Sequence, residues 1–422
     1  NDTARRVIVR SDVESIGDGR KVAIQHFDQL GRVRLSRTLE NIATEDPYNE
    51  THGIKVETRY STGNPNSYQI TSNPFRAAYP AIGKLTKVAS SVSTTEYTAF
   101  DILGRVTAHK QTTDGGDPIG YTTGFVYNLS GALTEETYPS GRKVRNVLDV
   151  SGDLSVVKSK KNATSGPYHN YAFNFVYNAA GAVTSMELGN YRYESTAFNS
   201  RLQPTQIALG VTQGSTGLLD LDYTYGTTNN NGNVLSQTIT VPTVGSNPGF
   251  TAIQNYAYDN LNRLASADEK PQGWTDANCT TEPTKCWKQT FVYDRYGNRT
   301  FDTTASRTTT IPTNCPAAVC NPTANTDNRL KSTDGYTFDN AGNTTKDAEL
   351  RKFTYDAENK QTKVETTDAN GTVIATNGEY WYDGDGKRIK KKAYTNNVLT
   401  EETIFVYDAS GKLVAEYSTN IE

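Results

Sequence analysis

Short runs of alternating apolar and polar residues recur along the whole chain. Segments such as Thr290-Phe291-Val292-Tyr293 and Ile404-Phe405-Val406-Tyr407 carry β-branched and aromatic residues at a period near two, which predicts strands. Each run stops at Asp or Asn. A second, often Thr-rich run starts after a Gly or Asn, as in Gly181-Ala-Val-Thr-Ser-Met. The unit so written is a hairpin. No long apolar stripe at i, i+3, i+4 is present, so few or no helices are expected.

The turn is a repeat: an aromatic, Asp or Asn, two variable residues, Gly, a polar residue, then Leu or Val. Phe27-Asp28-Gln-Leu-Gly31-Arg32-Val33 and Phe100-Asp101-Ile-Leu-Gly104-Arg105-Val106 carry it in full. So do Tyr127-Asn128-Leu-Ser-Gly131-Ala132-Leu133 and Tyr177-Asn178-Ala-Ala-Gly181-Ala182-Val183. Tyr258-Asp259-Asn-Leu-Asn262-Arg263-Leu264 and Tyr355-Asp356-Ala-Glu-Asn359-Lys360 use Asn at the Gly position. Tyr293-Asp294-Arg-Tyr-Gly297 and Phe338-Asp339-Asn-Ala-Gly342 keep the turn but lose the last apolar residue. Tyr382-Asp383-Gly-Asp-Gly386 and Tyr407-Asp408-Ala-Ser-Gly411 close the series. Weaker copies stand at Tyr138–Arg142, Leu148–Leu154, Phe198–Leu202 and Tyr225–Val234.

The chemistry of the unit is local. An Asp or Asn side chain opens a turn by accepting backbone N–H bonds two residues on. Gly or Asn four positions after the aromatic accepts a positive φ. One hairpin alone is marginal, so neighbours must pair edge to edge, and the tyrosines should then form ladders worth roughly 0.2–1 kcal/mol per pair. Spacing between copies is irregular, which fits a spiral of hairpins better than identical rungs. Residues 1–80 hold one clear copy and read as the irregular leading end. Residues 81–422 read as one continuous array, interrupted by loops at 265–290 and 301–333.

Composition agrees with a thin sheet. Only 35% of the 422 residues are hydrophobic, and Tyr occurs 26 times. Tyrosine packs its ring while its hydroxyl reaches a partner or water. The net charge of -3 steers the chain to neither nucleic acid nor an anionic membrane. No apolar run approaches the ~18 residues of a membrane span. The chain starts at Asn1 with neither Met nor a leader, which reads as a processed product or an interior fragment.

The cysteines Cys279, Cys286, Cys315 and Cys320 fall as two close pairs inside the two loops. Disulfides are the favoured reading, and of three pairings the local one, Cys279–Cys286 with Cys315–Cys320, is simplest. Zinc needs four converging ligands, and no CxxC occurs; free thiols are the other alternative. Disulfides would staple the loop insertions at 265–290 and 301–333 at their bases, limiting loop entropy, and imply an extracytoplasmic, oxidising compartment.

Candidate chemistry is sparse. The repeated aspartates all occupy one turn position, so turn capping accounts for them. Asp383-Gly-Asp385-Gly faintly resembles a calcium loop but lacks the spaced ligands and the terminal Glu. The basic run Lys387-Arg388-Ile-Lys390-Lys391-Lys392 reads as a solvated strand edge rather than a nucleic-acid site. Trp274, Trp287 and Trp381 are candidates for a sugar platform, which adds a surface glycan to the partners. Two of them flank the first cysteine pair, so packing of that loop is favoured. The four histidines show no site-like spacing. GxSxG, HExxH and phosphate-loop patterns are absent, so neither an enzyme nor a cofactor or metal site is expected.

The recurring Y-D-x-x-G motif resembles the YD repeats of the Rhs family, which includes polymorphic toxins, toxin-complex shell components, wall-associated proteins and teneurins. The resemblance covers most of residues 20–422 and is strongest from Tyr380 to Tyr417. It implies an all-β spiral of hairpins forming a hollow shell or open barrel, secreted or at the cell surface. Its implied partners are further shell segments, an enclosed C-terminal toxin, or copies of itself. The family's aspartyl self-cleavage core has no match here, nor does a toxin domain, so no catalytic residue carries over. If roughly 60% of the chain is sheet, it covers about 4,000 Å² and encloses a radius of about 13 Å. A ~100-residue cargo needs roughly 17 Å. The chain is therefore expected to be part of a larger shell that encapsulates or delivers a toxin. The alternative is an extracellular fibre subunit or adhesin assembled through β-edges.

Overall fold

The computed structural model describes residues 5–11, 21–28, 30–39, 44–60, 83–162, 164–302 and 314–419. Much of the leading end (12–20 and 61–82 included) and residues 303–313 of the second loop lie outside the described residues. The regular structure is nearly all antiparallel strand. The described helices are short, Asp276–Thr281 and Ala317–Cys320, with 3-10 turns at Pro283–Lys285 and Ser332–Asp334. The protein is an all-β array of hairpins, as the period-two pattern predicts.

The array divides into two compact units, Asn1–Lys143 with Gly335–Glu422, and Val144–Asp334. In the second unit each strand pairs with its neighbour in sequence. Leu154–Lys160 pairs with His169–Tyr177, and the series runs on to Trp287–Tyr293 against Arg299–Phe301. Side chains alternate faces along a strand, yet burial often does not: Ser236–Val241 is half-buried at every position. That is the mark of a single layer, where each face is covered mainly by side chains of adjacent strands.

The first unit contains two such runs, Arg5–Ser11 to Leu133–Thr137 and Thr337–Phe338 to Leu413–Ser418. They pack on each other. Tyr121 of the first run joins Ile404 and Val406 of the second, with Val414 and Ala415 against them. The Tyr121 and Tyr417 rings stack at 4.7 Å. A smaller cluster of Val22, Ile24 and Leu39 packs with Ile8.

One turn geometry generates the array. The aromatic pairs with the residue six positions on, as in Phe27↔Val33, Phe100↔Val106, Tyr127↔Leu133, Tyr258↔Leu264 and Tyr407↔Leu413, with a register shift beside each aromatic. The N–H of the Gly or Asn donates to the Asp carbonyl, as in Gly31 to Asp28 at 3.0 Å and Asn262 to Asp259 at 2.9 Å. This is a type I turn closed by a bulge residue with positive φ. Gly297 sits at φ 90° and Asn262 at 61°.

Leu202 holds the same position at φ 60° and is half exposed. A branched side chain is strained there, by about 1–2 kcal/mol. Leu202→Gly is therefore expected to stabilise the second unit by about 1 kcal/mol, read as a higher urea midpoint at unchanged slope. A midpoint that stays put or falls would refute stored strain at this turn.

Candidate functional site

The residues singled out by the repeat converge on a clasp between consecutive hairpins. Its first half is the Asp. Asp259 accepts N–H bonds through Oδ1 from Leu261 and Arg263, both at 2.9 Å, while Oδ2 accepts from Arg263 Nε at 2.7 Å. Asp28 and Asp101 bind Arg32 and Arg105 in the same way. Asp294 and Asp339 use Asn298 and Asn343 instead of an arginine. Asp356, Asp383 and Asp408 cap backbone N–H groups two and four residues on. The backbone N–H of Arg263, opposed by partial burial and helped by the guanidinium, holds the Asp259 carboxyl below the usual carboxylate range.

The second half is the aromatic of the following copy. The hydroxyl of Tyr293 donates to the carbonyl of Leu264 at 2.8 Å, and the Arg263 guanidinium lies 4.2 Å from its ring centre. Tyr177 reaches Leu154, Tyr225 reaches Pro204, Tyr258 reaches Val234, Tyr382 reaches Gln361 and Tyr407 reaches Arg388, at 2.7–3.0 Å. In most of these the acceptor is the residue six positions after the previous copy's aromatic. Arg32 over Tyr60, Arg105 over Tyr127, Lys360 over Tyr382 and Lys387 over Tyr407 repeat the cation contact. The expected tyrosine-on-tyrosine ladder is thus interleaved with cations, because the residue after the turn Gly lies between successive aromatics. Where both contacts are present, as at Tyr293, Tyr382 and Tyr407, the link adds one hydrogen bond of about 1 kcal/mol and a cation–π contact of about 0.5–1 kcal/mol.

The cysteines form two local bridges. Cys279–Cys286 has Cα atoms 5.6 Å apart and ties the short helix to the start of strand Trp287–Tyr293. Cys315–Cys320 has Cα atoms 6.1 Å apart and closes only the turn around the helix Ala317–Cys320, so neither bridge staples the base of a long loop as expected: each closes a local turn, and strands Leu264–Pro271 and Trp287–Tyr293 take up both ends of the loop expected at 265–290. The excursion after Phe301 is anchored by Asn321, whose side-chain amide accepts from the Phe301 N–H at 2.8 Å and donates to its carbonyl at 2.9 Å. No spacing rule in the sequence marks Asn321.

The basic run is not an edge. Strand Arg388–Thr395 lies between Val373–Tyr382 and Val398–Tyr407. Lys391 pairs with Glu401 and Lys392 with Glu402, and buried Lys390 binds Glu402 at 3.1 Å and the Asp114 carbonyl at 3.0 Å. The glutamates of the next strand, Glu401 and Glu402, pair with its three consecutive lysines.

Within the first unit a polar cavity of about 200 Å³ lies where its two runs meet, lined by Thr95, Tyr97, His109, Gln111, Asp383, Asp385, Lys387 and Asp408 among others. Gln111 is buried; its amide donates to the Phe405 carbonyl at 2.8 Å and accepts from the Tyr407 N–H at 3.0 Å. Burial raises the Asp383 carboxyl and lowers the His109 imidazole to about 4. His109 bonds Thr123 at 3.2 Å. Of the other histidines, His26 is buried against Arg37, His52 accepts from the Asp46 N–H, and His169 is exposed. Among the described residues no group of three or more His, Cys, Asp or Glu could hold a metal ion.

No protein-family profile and no curated protein matches the sequence. Solved structures do match. A TcdB2-TccC3 structure superposes with a TM-score of 0.62 at 18% identity, over 96% of this chain and 22% of that one. The Photorhabdus luminescens Tc holotoxin pore, in a TccC3 mutant form, gives 0.60 at 17% identity over 99% and 22%. TcdB2-TccC3-Cdc42 gives 0.60 at 18% over 95% and 21%. The chain shares the fold of these toxin-complex chains. It spans about a fifth of their length.

Within this Tc-like fold the structure adds turns that the sequence pattern passes over. Asp347 caps Glu349 and Arg351 and binds Arg351 Nε at 2.6 Å, with Leu350 at the positive-φ position. Asp368 does the same for Asn370 and Thr372. Both are preceded by non-aromatic residues, Lys346 and Thr367; Asp368 keeps the Gly of the motif at Gly371, whereas Asp347 has Leu350 there.

Two outcomes follow from the geometry. Tyr293→Phe is expected to cost about 1 kcal/mol and to speed amide exchange in strands Leu264–Pro271 and Trp287–Tyr293, with exchange in the first unit unchanged. Uniform or absent change would remove the hydroxyl from the clasp. His109 titrates near 4 when folded against an ordinary 6.5, so the unfolded chain binds the extra proton between these values. Stability it supports is full above the ordinary value and is lost as pH falls, by up to about 3 kcal/mol. The raised Asp383 carboxyl acts in the opposite sense, so the difference between wild type and His109→Gln isolates the histidine. Identical pH profiles would contradict its burial.

Proposed function

We propose that this chain is a structural scaffold, a segment of a secreted β-shell of the Rhs/YD-repeat type that encapsulates or delivers a toxin carried outside this sequence. The observation that carries the proposal is the shared fold with toxin-complex chains over nearly the whole of this one. Covering about a fifth of those chains fits a segment of a larger wall. The clasp supports the reading, since its repeated groups are engaged in joining hairpins. Two disulfides support an oxidising, extracellular setting. No helix among the described residues is long and apolar enough to cross a membrane. The reading assigns the chain no catalytic role, and its partners are other proteins.

A second reading, a fibre subunit or adhesin, draws on two strands. Arg5–Ser11 and Leu413–Ser418 each have one pairing partner among the described residues, and Val7, Val9 and Leu413 are exposed on them. Such edges accept an added strand. Electron microscopy of the native particle separates the two. Hollow capsules with this chain in the wall are expected. Regular filaments repeating on this chain would replace the shell reading with the fibre.

A further inference from the structure

In the polar cavity of the first unit, both runs leave side-chain atoms without partners. His109 comes from strand Val106–Thr113 of the first run, and Asp383 and Asp408 come from turns of the second. All three line the cavity, and they are only 2%, 9% and 8% exposed. Nδ1 of His109 meets the Thr123 hydroxyl at 3.2 Å, which leaves Nε2 without a hydrogen-bond partner among the described residues. The Oδ1 atoms of Asp383 and Asp408 cap their turns, which leaves each Oδ2 likewise unpartnered. None of these three atoms is sealed from solvent. In side chains this buried, the access is through the cavity they line.

In other copies of the turn the same Oδ2 is filled. Arg32, Arg105, Arg263 and Arg351 bind it through Nε, and Asn298 and Asn343 bind it through the side-chain amide. After Asp383 and Asp408 that place falls to Lys387 and Lys412, and neither pairs with its Asp. Lys387 Nζ lies instead 5.4 Å from the centre of the Tyr407 ring. Asp385, exposed at the rim of the cavity, has no ion pair among the described residues. The lining thus carries three carboxyl groups against the one ammonium of Lys387. His109, lowered to about 4 by burial, adds no charge at neutral pH. Burial raises the Asp383 carboxyl, as expected of an acid without the cation that its counterparts hold.

We propose that His109, Asp383, Asp385 and Asp408 bind a short aliphatic diamine, a ligand of the polyamine class that bridges the two runs of the first unit. An ammonium group brings three donors and a positive charge, and these side chains supply acceptors and negative charge. Two ammonium groups are required because the acceptors are spread out. Among the described residues no three such side chains converge closely enough to hold a single metal ion. The cavity, about 200 Å³, is smaller than the roughly 300 Å³ at which ordinary ligand pockets begin, which suits a chain of a few heavy atoms. The Tyr97 ring, 5.6 Å from that of His109, lines the same cavity and suits a cation or its methylenes. A neutral sugar would leave the carboxylates uncompensated, and an anion would be repelled. The site goes beyond the scaffold reading and does not depend on it.

The test is calorimetric titration of the intact chain at neutral pH and low salt with butane-1,4-diamine, butylamine and magnesium chloride. The diamine should bind at one site, about tenfold more tightly than butylamine, and should raise the thermal midpoint. Magnesium should not match it. Asp383→Asn and Asp408→Asn each keep an Oδ1 to cap the turn, as Asn178 does, and each should weaken the diamine about tenfold. Asp149→Asn removes the same charge from a turn of the second unit and should leave binding unchanged; circular dichroism confirms that all three variants fold. No binding of the diamine, equal binding of magnesium, or equal loss in Asp149→Asn overturns the site. Butylamine binding as tightly as the diamine overturns the assignment of a ligand with two ammonium groups.

Discussion

The hydroxyl of a repeat tyrosine bonded to a carbonyl of the preceding hairpin is the interaction on which the array depends. A two-stranded hairpin is marginal in water, and this chain has too few apolar residues to bury each hairpin under a second layer. Something other than a thick core must join neighbours. Strand pairing supplies backbone bonds, but pairing alone permits register slips wherever both faces are polar. The clasp removes that freedom. Tyr293 reaches Leu264 and stacks with Arg263 only in one register, and Arg263 is itself fixed by Asp259. Three residues of one turn and one of the next therefore specify each other.

Polar side chains also close the places where the repeat is interrupted. Asn321 bonds the backbone of Phe301 as an adjacent strand would, and Gln111 does so for Phe405 and Tyr407. Each amide carries one donor and one acceptor face, which is what an unpaired stretch of strand needs. Arg37, fully buried near His26, serves the carbonyls of Pro47, Asn49 and His52 in the same spirit. Buried polar groups so satisfied fix a unique arrangement at little cost, whereas half-satisfied ones destabilise.

This economy bears on function. Asp, Arg and Tyr are the residue types that active sites favour, yet here most are committed to joining hairpins. Asp383 and Asp408, which line the polar cavity, both cap turns. What stays available for recognition includes strands with one pairing partner among the described residues, as at Val7 and Val9. A fold built from satisfied polar groups can vary such surfaces without disturbing itself.

The sequence by itself determined the local unit. Aromatic, Asp and positive-φ Gly lie close enough for their geometry to follow from short-range chemistry, so the turns at Asp28, Asp101, Asp259 and Asp294 were legible. So was the local grouping of Cys279 with Cys286 and Cys315 with Cys320. Copies lacking the aromatic, at Asp347 and Asp368, were not. The tertiary structure alone decided what each unit touches. That Tyr407 reaches Arg388, that Glu401 and Glu402 pair with the lysine run, and that Gln111 meets Phe405 nearly three hundred residues away depend on register and on strand order. Those are properties of the assembled sheet, and a turn motif of seven residues holds no record of which strand will lie beside it.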